Sequence, residues 1–501
     1  MRTLSFCFCT LTTGMALAAD PAAEIVEVVR DETTGGVVVR YALREADAIV
    51  TLGGEALSDS GEWKALPDRA FRRVTGDVNR LVPTGGERVL VWRPEREGVL
   101  SAASGFRVRL TLWSPAQPPD WMSVEIGGEK ETRYFVSAEA LPHPVADRYW
   151  KASRFLFRKV PAKGVVWSMR SISPGRRVRL TSDYYLGVFA YTKAQQQNVV
   201  GYDASDDGVA VGADVGFCPR NKAAYAYFRG TDPDGASSDY PIAEGSNLFL
   251  IREKTGLAVD FPTEAEWEYA CRAGCGEALY SGESATAENV AKLAWFNVGD
   301  ADSGKIHEVG LKAPNAWGFC DMLGNVAEWC LDYYADRSFF ADGLCENPTG
   351  PSSWQKSYAG GRARVARGGC FWNGASELCQ GADFRWGYDD NHYEDPAFGV
   401  RLRTPIPGAD AAKIANGTAV WPSLDTSERT DYWDCTGYEN PSVIEVVRAC
   451  IGTDFRLGTR MASEDVSAEG MLFDSGIGSE DFSDGINLNS RPRTGVAAII
   501  R

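Results

Sequence analysis

Two groups of residues in this sequence have the types and the spacing to do chemistry. Cys370 and Cys379 are nine positions apart and could serve as thiolate nucleophiles or as ligands for a soft metal ion. Asp321 and Glu328 could offer carboxylate oxygens to a hard cation such as calcium, and Gly324 between them permits a backbone that turns carbonyl oxygens inward. The spacing of the two acids does not by itself distinguish a calcium loop from an ordinary turn.

Zinc and iron chemistry lack suitable ligands in this sequence. The three histidines, His143, His307 and His392, stand far apart and form no metal-binding pattern. Cys271 and Cys275 are closely spaced, but no second cysteine pair or nearby histidine accompanies them. We therefore expect neither a zinc site nor an iron site held by histidines.

Length and charge restrict the classes of partner. A chain of 501 residues is expected to form two or three domains. Its net charge of −16 argues against binding nucleic acid or an anionic membrane through a general electrostatic field. Beyond the first residues, no stretch of about twenty apolar residues occurs, so no membrane span is expected.

Residues 1–19 have the pattern of a secretory signal peptide. Arg2 supplies the positive end, an apolar stretch follows, and Ala16–Ala18 resembles a cleavage site. The pattern predicts a periplasmic or secreted protein. Removing the leader takes away Cys7 and Cys9 and leaves ten cysteines, an even number that favours disulfides in an oxidising compartment.

Residues 20–140 have the pattern of a small β-sandwich. In Phe106–Trp113 apolar and polar residues alternate strictly, as in a strand with one buried face. Turn signals separate further β-rich runs, namely Ile25–Arg30, Val37–Leu43 and Arg88–Trp92. No acid, base or nucleophile cluster occurs here, so a spacer or docking module is favoured over a catalytic domain. A linker is predicted near Leu141–Pro144.

One helix start is well marked. Thr263 can cap a helix while Glu266, three residues later, completes a capping box. Trp267, Ala270 and Cys271 then fall on one face of the helix. These residues are predicted to be caps and core, without a chemical role.

Three separated stretches, with a short fourth, carry a family resemblance: FPTEAEWEYACRAG (261–274), NAWGFCDMLGNVAEWC (315–330), RVARGGCFWNGASELC (364–379) and FGVRLR (398–403). In this order they resemble the formylglycine-generating enzyme family, also called sulfatase-modifying-factor domains. The resemblance covers residues 150–404 and implies an irregular variant of the C-type lectin fold. The expected fold class is α+β, an N-terminal β-sandwich followed by this domain.

The resemblance implies a non-standard member of the family. The family's oxidases hold copper with two cysteines shortly after a serine turn. Here Cys370 stands at the serine position, Asn373 at the first cysteine position, and the next cysteine is Cys379. The pattern favours a non-catalytic module, with no catalytic residues, that binds a protein or glycan partner in the domain groove. The alternatives are a copper-using oxidase that generates formylglycine in a sulfatase or related protein, and a purely structural envelope component.

The resemblance also implies a calcium site. The family binds calcium through the positions that match Asp321, the carbonyls of Gly324 and Val326, and Glu328. The family often has tryptophan where this chain has Ala327, so the wall beside the site is expected to be open.

A disulfide and an aromatic surface are further expectations. Bacterial relatives commonly have cysteines at the positions of Cys330 and Cys379, which implies a disulfide between them. Aromatic residues of the domain could line a groove or form core, and core is favoured; they are Trp317, Trp329, Phe371, Trp372, Phe384, Trp386 and Tyr388. The loop Tyr388–Asp395 could contact a ligand, although a solvated loop is favoured.

The C-terminal residues 405–501 do not resemble the family. Acidic residues among serines and glycines indicate a partly disordered extension. A small third domain held by Cys435 and Cys450 is the alternative.

Overall fold

The computed structural model describes residues 21–30, 36–58, 60–94, 105–170, 176–203, 205, 207–212, 214–230, 241–299, 304–335, 343–351, 362–389, 395–406 and 495–500. The predicted leader, most of the C-terminal extension and the centre of the loop Tyr388–Asp395 lie outside these residues. Within the described parts, no helix is both long and apolar enough to span a membrane.

The chain is rich in short strands and has few helices. The strands are β1 (Ala22–Arg30), β2 (Val37–Arg44), β3 (Ala48–Leu57), β4 (Trp63–Ala65), β5 (Val74–Gly76), β6 (Arg80–Val82), β7 (Glu87–Trp92), β8 (Gly105–Trp113), β9 (Trp121–Glu125), β10 (Thr132–Phe135), β11 (Arg154–Val160), β12 (Val166–Met169), β13 (Arg176–Arg179), β14 (Tyr184–Gly187), β15 (Ala327–Tyr333), β16 (Leu344–Glu346), β17 (Ala363–Arg367), β18 (Arg385–Asp389), β19 (Phe398–Gly399), β20 (Arg403–Pro405) and β21 (Gly495–Ile500). The helices are α1 (Lys193–Val200), α2 (Tyr225–Arg229), α3 (Asn247–Thr255), α4 (Glu264–Arg272), α5 (Ala287–Leu293) and α6 (Ala375–Leu378).

Two sheets form the N-terminal part of the molecule. One has the strand order β1-β2-β7-β5, and the other has the order β21-β8-β3-β4 with β6 paired to β3. Alternate residues of β2 and β8 are buried, as the sequence pattern predicts, and both sheets contribute to one hydrophobic cluster. The strands predicted in this region are confirmed.

The division between the two halves differs from the predicted linker near residue 141. Strands β9 and β10 precede that linker, yet β9 pairs with β11 in the sheet β10-β9-β11-β14-β20. Hydrogen bonds of the backbone therefore attach these two strands to the second half. The reason is that β9 is buried along nearly its whole length and needs a partner on either side, which the N-terminal sheets do not supply.

A second four-stranded sheet brings the signature stretches together. Its order is β18-β17-β15-β19, with β15 antiparallel to β17 and parallel to β19. The second stretch thus ends in β15, the third begins in β17, and the fourth begins in β19. The first stretch supplies helix α4, every residue of which is buried against this region. Stretches that lie far apart in the sequence therefore form one unit.

Helix α4 begins as predicted. The Thr263 hydroxyl accepts a hydrogen bond from the Glu266 backbone, and the Glu266 carboxylate accepts one from the Thr263 backbone, which completes the capping box. Trp267, Ala270 and Cys271 belong to the hydrophobic core. The helix ends at Ala273, whose left-handed backbone (φ 48°) precedes Gly274.

Candidate functional site

The turn after β17, at which the family resemblance implies the copper position of the oxidases, is closed by its own asparagine. The Asn373 side-chain oxygen accepts a hydrogen bond of 2.7 Å from the Cys370 backbone N–H. The Asn373 backbone N–H in turn donates to the Cys370 carbonyl at 3.1 Å. Gly369 makes this possible, because a Cβ there would lie 3.1 Å from the Asn373 oxygen and its backbone has φ 71°. Asn373 therefore has a structural role in the turn.

Burial disfavours the thiolate form of Cys370 near neutral pH. Its side chain is fully buried, and burial raises its pKa to about 12. A thiol reacts and binds metal as the thiolate, which a pKa this high disfavours. Cys370 packs in one hydrophobic cluster, whereas the half-buried Cys379 packs against another. The two cysteines are thus not combined into one site.

Trp372 projects from the same turn towards solvent. Its side chain is 48% exposed, an unusual state for so large an apolar residue. The Asn297 backbone N–H donates to the Asn373 carbonyl at 2.9 Å, which places the exposed Asn297 and Val298 beside the turn. We call Trp372, Asn297 and Val298 the exposed turn surface.

The other aromatic residues of the predicted set are largely core. Trp317, Trp329, Phe371 and Phe384 are buried, which confirms the favoured interpretation for them. Trp386 and Tyr388 are half-buried and pack against the same cluster as Phe371. Of the seven, Trp372 is the one whose ring is open to a ligand.

Glu328 forms a saturated ion pair in the middle of the domain. Its two carboxylate oxygens accept hydrogen bonds from Arg401 at 2.8–3.1 Å, and one of them also accepts from the Trp267 indole at 2.7 Å. The carboxylate and the guanidinium are both essentially unexposed. Such a buried pair is stable only when its hydrogen bonds are made, and here they are.

The Asp321 carboxylate is bonded to the backbone of Gly310. One of its oxygens accepts a 2.6 Å hydrogen bond from the Gly310 backbone, while the other is buried without a hydrogen-bond partner. Burial raises the pKa of this carboxyl to about 6, more than the bond from Gly310 and the nearby Arg401 lower it. Asp321 itself has a left-handed backbone (φ 53°).

Gly324 is required for packing. A Cβ at this position would lie 2.4 Å from the Trp295 carbonyl oxygen, and its backbone has φ 73°. The Gly324 N–H donates to the Gly368 carbonyl, and the Asn325 N–H to the Trp295 carbonyl. The glycine thus lets two loops approach closely.

The four predicted calcium ligands have different surroundings in this arrangement. Glu328 is bonded to Arg401, whereas Asp321 keeps one buried carboxylate oxygen without a hydrogen-bond partner. Calcium prefers six to eight oxygens around one point. Within the described ranges, no group of three or more histidine, cysteine, aspartate or glutamate side chains could hold a metal. Calcium at Asp321, Gly324, Val326 and Glu328 stays a prediction.

Two further predictions concern an opening beside Ala327 and a disulfide between Cys330 and Cys379. Ala327 is fully buried and its N–H donates to the Ala397 carbonyl, so no opening forms at its side chain. Cys330 and Cys379 form no disulfide in the described parts of the chain. Cys330 is buried in the hydrophobic cluster against which Cys379 packs. The bond between them is not formed here and stays a prediction.

A network of buried ion pairs surrounds helix α4, and it was missed in the sequence. Each acidic residue of the helix has an arginine partner from the third or fourth signature stretch or from β18. Glu264 binds Arg385 with two bonds of 2.6 and 2.8 Å. The remaining pairs are Glu266 with Arg403 at 2.7 Å, Glu268 with Arg367 at 2.7 Å, and Glu268 with Arg272 at 2.8 Å.

The signal for this network was present in the sequence. Glutamates recur along one predicted helix, and arginines recur in the third and fourth stretches. Buried charges require partners, so charged residues inside otherwise core-forming phrases indicate ion pairs.

Comparison with known proteins agrees with this architecture. Residues 168–403 match the family described as the sulfatase-modifying factor enzyme 1-like domain. These residues form a sulfatase-modifying-factor domain.

Curated relatives of the domain include formylglycine-generating enzymes. One from Streptomyces coelicolor is 34% identical over 153 residues, which is 28% of this chain and 46% of the relative. One from Mus musculus is 28% identical over 142 residues, covering 27% of this chain and 36% of the relative. The chain spans less than half the length of these two relatives.

The domain is also similar to proteins with other names. A serine/threonine-protein kinase of Chlamydia pneumoniae is 37% identical over 111 residues, which is 22% of this chain and 16% of the kinase. Among solved structures, Treponema denticola variable protein 1 is 22% identical with a TM-score of 0.39, and the match covers 50% of this chain and 95% of that one.

Proposed function

We propose that this protein is an exported binding protein whose sulfatase-modifying-factor domain does not catalyse oxidation. The observation that carries the proposal is the turn at Cys370. By the family resemblance, a structural asparagine, Asn373, stands where an oxidase needs its first copper-binding cysteine, and the buried thiol of Cys370 stands at the serine position before it. An amide is a poor ligand for Cu(I), so the chain's own residues offer no pair of soft ligands at this turn.

The exposed turn surface is the proposed ligand contact, and the ligand is a protein or a glycan. Trp372 offers an open aromatic face, which is common where proteins bind sugars or peptides. Asn297 adds an exposed amide beside it. The burial of most neighbouring aromatic residues supports this choice, because it leaves Trp372 as the ring of this set able to contact a partner.

The rest of the chain is proposed to present this domain. The two N-terminal sheets share one core, which supports the β-sandwich interpretation. The family resemblance supports a C-type-lectin-like fold for the second domain. The leader pattern in residues 1–19 supports a periplasmic or secreted location.

Binding is tested with the labelled full-length chain on arrays of glycans and of sulfatase-motif peptides. Trp372→Ala is the test variant, and Tyr202→Ala, which removes another aromatic ring about half exposed in the same domain, is the matched control. We expect saturable binding that falls at least about tenfold in Trp372→Ala and is retained in Tyr202→Ala. Equal binding by wild type and Trp372→Ala would contradict the proposed surface.

A further inference from the structure

Asn325 lies where three loops of the sulfatase-modifying-factor domain meet. Its backbone N–H donates to the Trp295 carbonyl at 2.8 Å, and its backbone carbonyl accepts from the Phe371 N–H at 3.0 Å. Its side-chain oxygen accepts from the His307 backbone N–H at 3.0 Å, and its side-chain nitrogen donates to the His307 carbonyl at 3.1 Å. The residue is fully buried. Asn325 therefore bonds two loops through its backbone and a third through its side chain.

This set of contacts explains why the position holds an asparagine. The backbone of Asn325 is left-handed (φ 61°), a conformation that glycine, asparagine and aspartate adopt most readily. The two bonds to His307 need an acceptor and a donor in one short side chain, and of these three residues only asparagine offers both. An aspartate carboxylate would turn an oxygen towards the His307 carbonyl.

Two of the loops that Asn325 joins carry the exposed turn surface. Phe371 directly precedes Trp372, and the two rings pack edge to face with their centroids 5.0 Å apart. Trp295 lies two residues before Asn297, whose N–H is bonded to the turn. The bonds that Asn325 makes to Trp295 and Phe371 therefore set the distance between the two halves of this surface.

The third loop supports one of these halves from the side. The His307 imidazole stacks on the Trp295 indole, with centroids 3.7 Å apart and planes 13° from parallel. Asn325 holds His307 at both its backbone N–H and its carbonyl, so the same side chain fixes the ring that supports Trp295. A binding surface that is fixed before the ligand arrives loses less conformational entropy on binding.

We propose that Asn325 is a positioning residue for ligand binding, which holds Trp372 and Asn297 in one arrangement without touching the ligand. The proposal rests on the proposed function, because it takes the exposed turn surface to be the ligand contact. The order that Asn325 gives to the two loops is measurable without any ligand, so the two proposals can fail separately.

The test is amide hydrogen exchange of the full chain, read at single residues by mass spectrometry, in wild type and Asn325→Asp. The variant keeps the side-chain size and suits the left-handed backbone, but it replaces the donor to His307 with an acceptor. We expect exchange at the Phe371 and Asn297 amides to speed up at least about tenfold more than exchange at the Leu331 amide of β15, which reports global opening.

Asn315→Asp is the matched control. Asn315 is also buried, and its side-chain nitrogen donates to the carbonyls of Ala270 and Cys271 at 2.7 and 3.0 Å. Its side-chain bonds within the described ranges do not reach the exposed turn surface. This variant should destabilise the domain and speed exchange at the same three amides by similar factors.

Equal factors at the three amides in Asn325→Asp, or no change at any of them, would overturn the proposal. If Asn325→Asp does not fold, Asn325→Gly, which keeps the left-handed backbone and deletes the side chain, is expected to show the same local increase.

The glycan and peptide arrays add a binding measurement. Wherever the wild-type chain binds, Asn325→Asp should bind at least about tenfold more weakly, and equal binding would overturn the proposal. A wild-type chain that binds nothing would contradict the proposed function, and hydrogen exchange would still decide whether Asn325 orders the surface.

Discussion

The turn at Cys370 and the ion pairs around helix α4 belong to the same signature, yet their side chains are arranged for different purposes. Around α4, each glutamate has its arginine at hydrogen-bond distance, and every residue of the helix is buried. At the turn, Asn373 and Cys370 replace the residues that the family's oxidases use. The ion pairs hold the domain together, whereas the residues at the turn support the proposal that the domain does not catalyse oxidation.

The difference shows that most of the signature encodes the fold. Trp267, Glu328 and Arg401 form one hydrogen-bonded group from three of the stretches. A sequence can contain this group and still carry different residues at an exposed turn, because none of the three side chains is bonded to Cys370 or Asn373 in the hydrogen bonds described above. Recognising the family therefore predicts the architecture and leaves the activity open.

Removing a charge from the buried ion pairs around helix α4 is expected to cause the largest loss of stability. Glu268→Ala removes the partner of both Arg272 and Arg367 and leaves two buried guanidinium groups with less compensation. Breaking a buried pair in this way costs about 3–5 kcal/mol. Denaturant unfolding of the full chain, followed by tryptophan fluorescence, measures the loss.

A surface pair of the same domain is the control for this experiment. Glu283 lies 3.0 Å from Lys292, and both are exposed, so Glu283→Ala should cost less than about 1 kcal/mol. Similar losses for Glu268→Ala and Glu283→Ala would show that the buried network is not what stabilises the domain.

The next expected effect is a pH dependence that originates beside the network. Burial, and secondly the charge of Glu264, raise the pKa of Asp332 from 3.8 to about 8. The folded state therefore holds a proton that the unfolded state releases near pH 4, so the domain loses stability as the pH rises from about 4 to about 8.

Asp332→Asn tests this linkage, because the amide oxygen can still accept the 2.7 Å bond from the Glu264 N–H. We expect the variant to unfold at a temperature several degrees above wild type at pH 8 and to lose that advantage near pH 5. Parallel melting curves of the two proteins across this pH range would contradict the assignment.

A smaller effect is expected when the alkylation rates of individual cysteines are compared. The buried Cys370, with a pKa of about 12, should resist alkylation of the native protein at pH 8, whereas the half-buried Cys379 should react at least about tenfold faster. Peptide mapping without reductant measures both rates. A Cys379 that stays unmodified together with Cys330 would indicate the predicted disulfide, and rapid alkylation of Cys370 would contradict its burial.

Local sequence patterns predicted the elements that depend on neighbouring residues. The alternation in Phe106–Trp113 gave strand β8, and Thr263 with Glu266 gave the start of α4. The attachment of β9 to β11 could not be predicted, because strand pairing depends on contacts between distant residues. For the same reason Arg401, more than seventy residues from Glu328, was not recognised as its partner.

The sequence predicted which residue types occur at the site better than it predicted their positions and partners. The loss of the cysteine pair at Asn373 was visible in the sequence. That Asn373 would instead close the turn onto Cys370 required the backbone path of Gly368 and Gly369, both with positive φ. The spacing of residues along the sequence also could not show that Glu328 forms an ion pair with Arg401.

We propose that this sulfatase-modifying-factor domain has no oxidase activity, and an assay for aldehyde formation in a substrate peptide is the decisive test. The full chain is incubated with copper, a thiol reductant and a cysteine-bearing sulfatase peptide, and the peptide mass is followed. We predict that no aldehyde forms, because Cys370 is buried and Asn373 supplies no thiolate. Copper-dependent loss of mass that disappears in Cys370→Ala or Cys379→Ala would contradict the account.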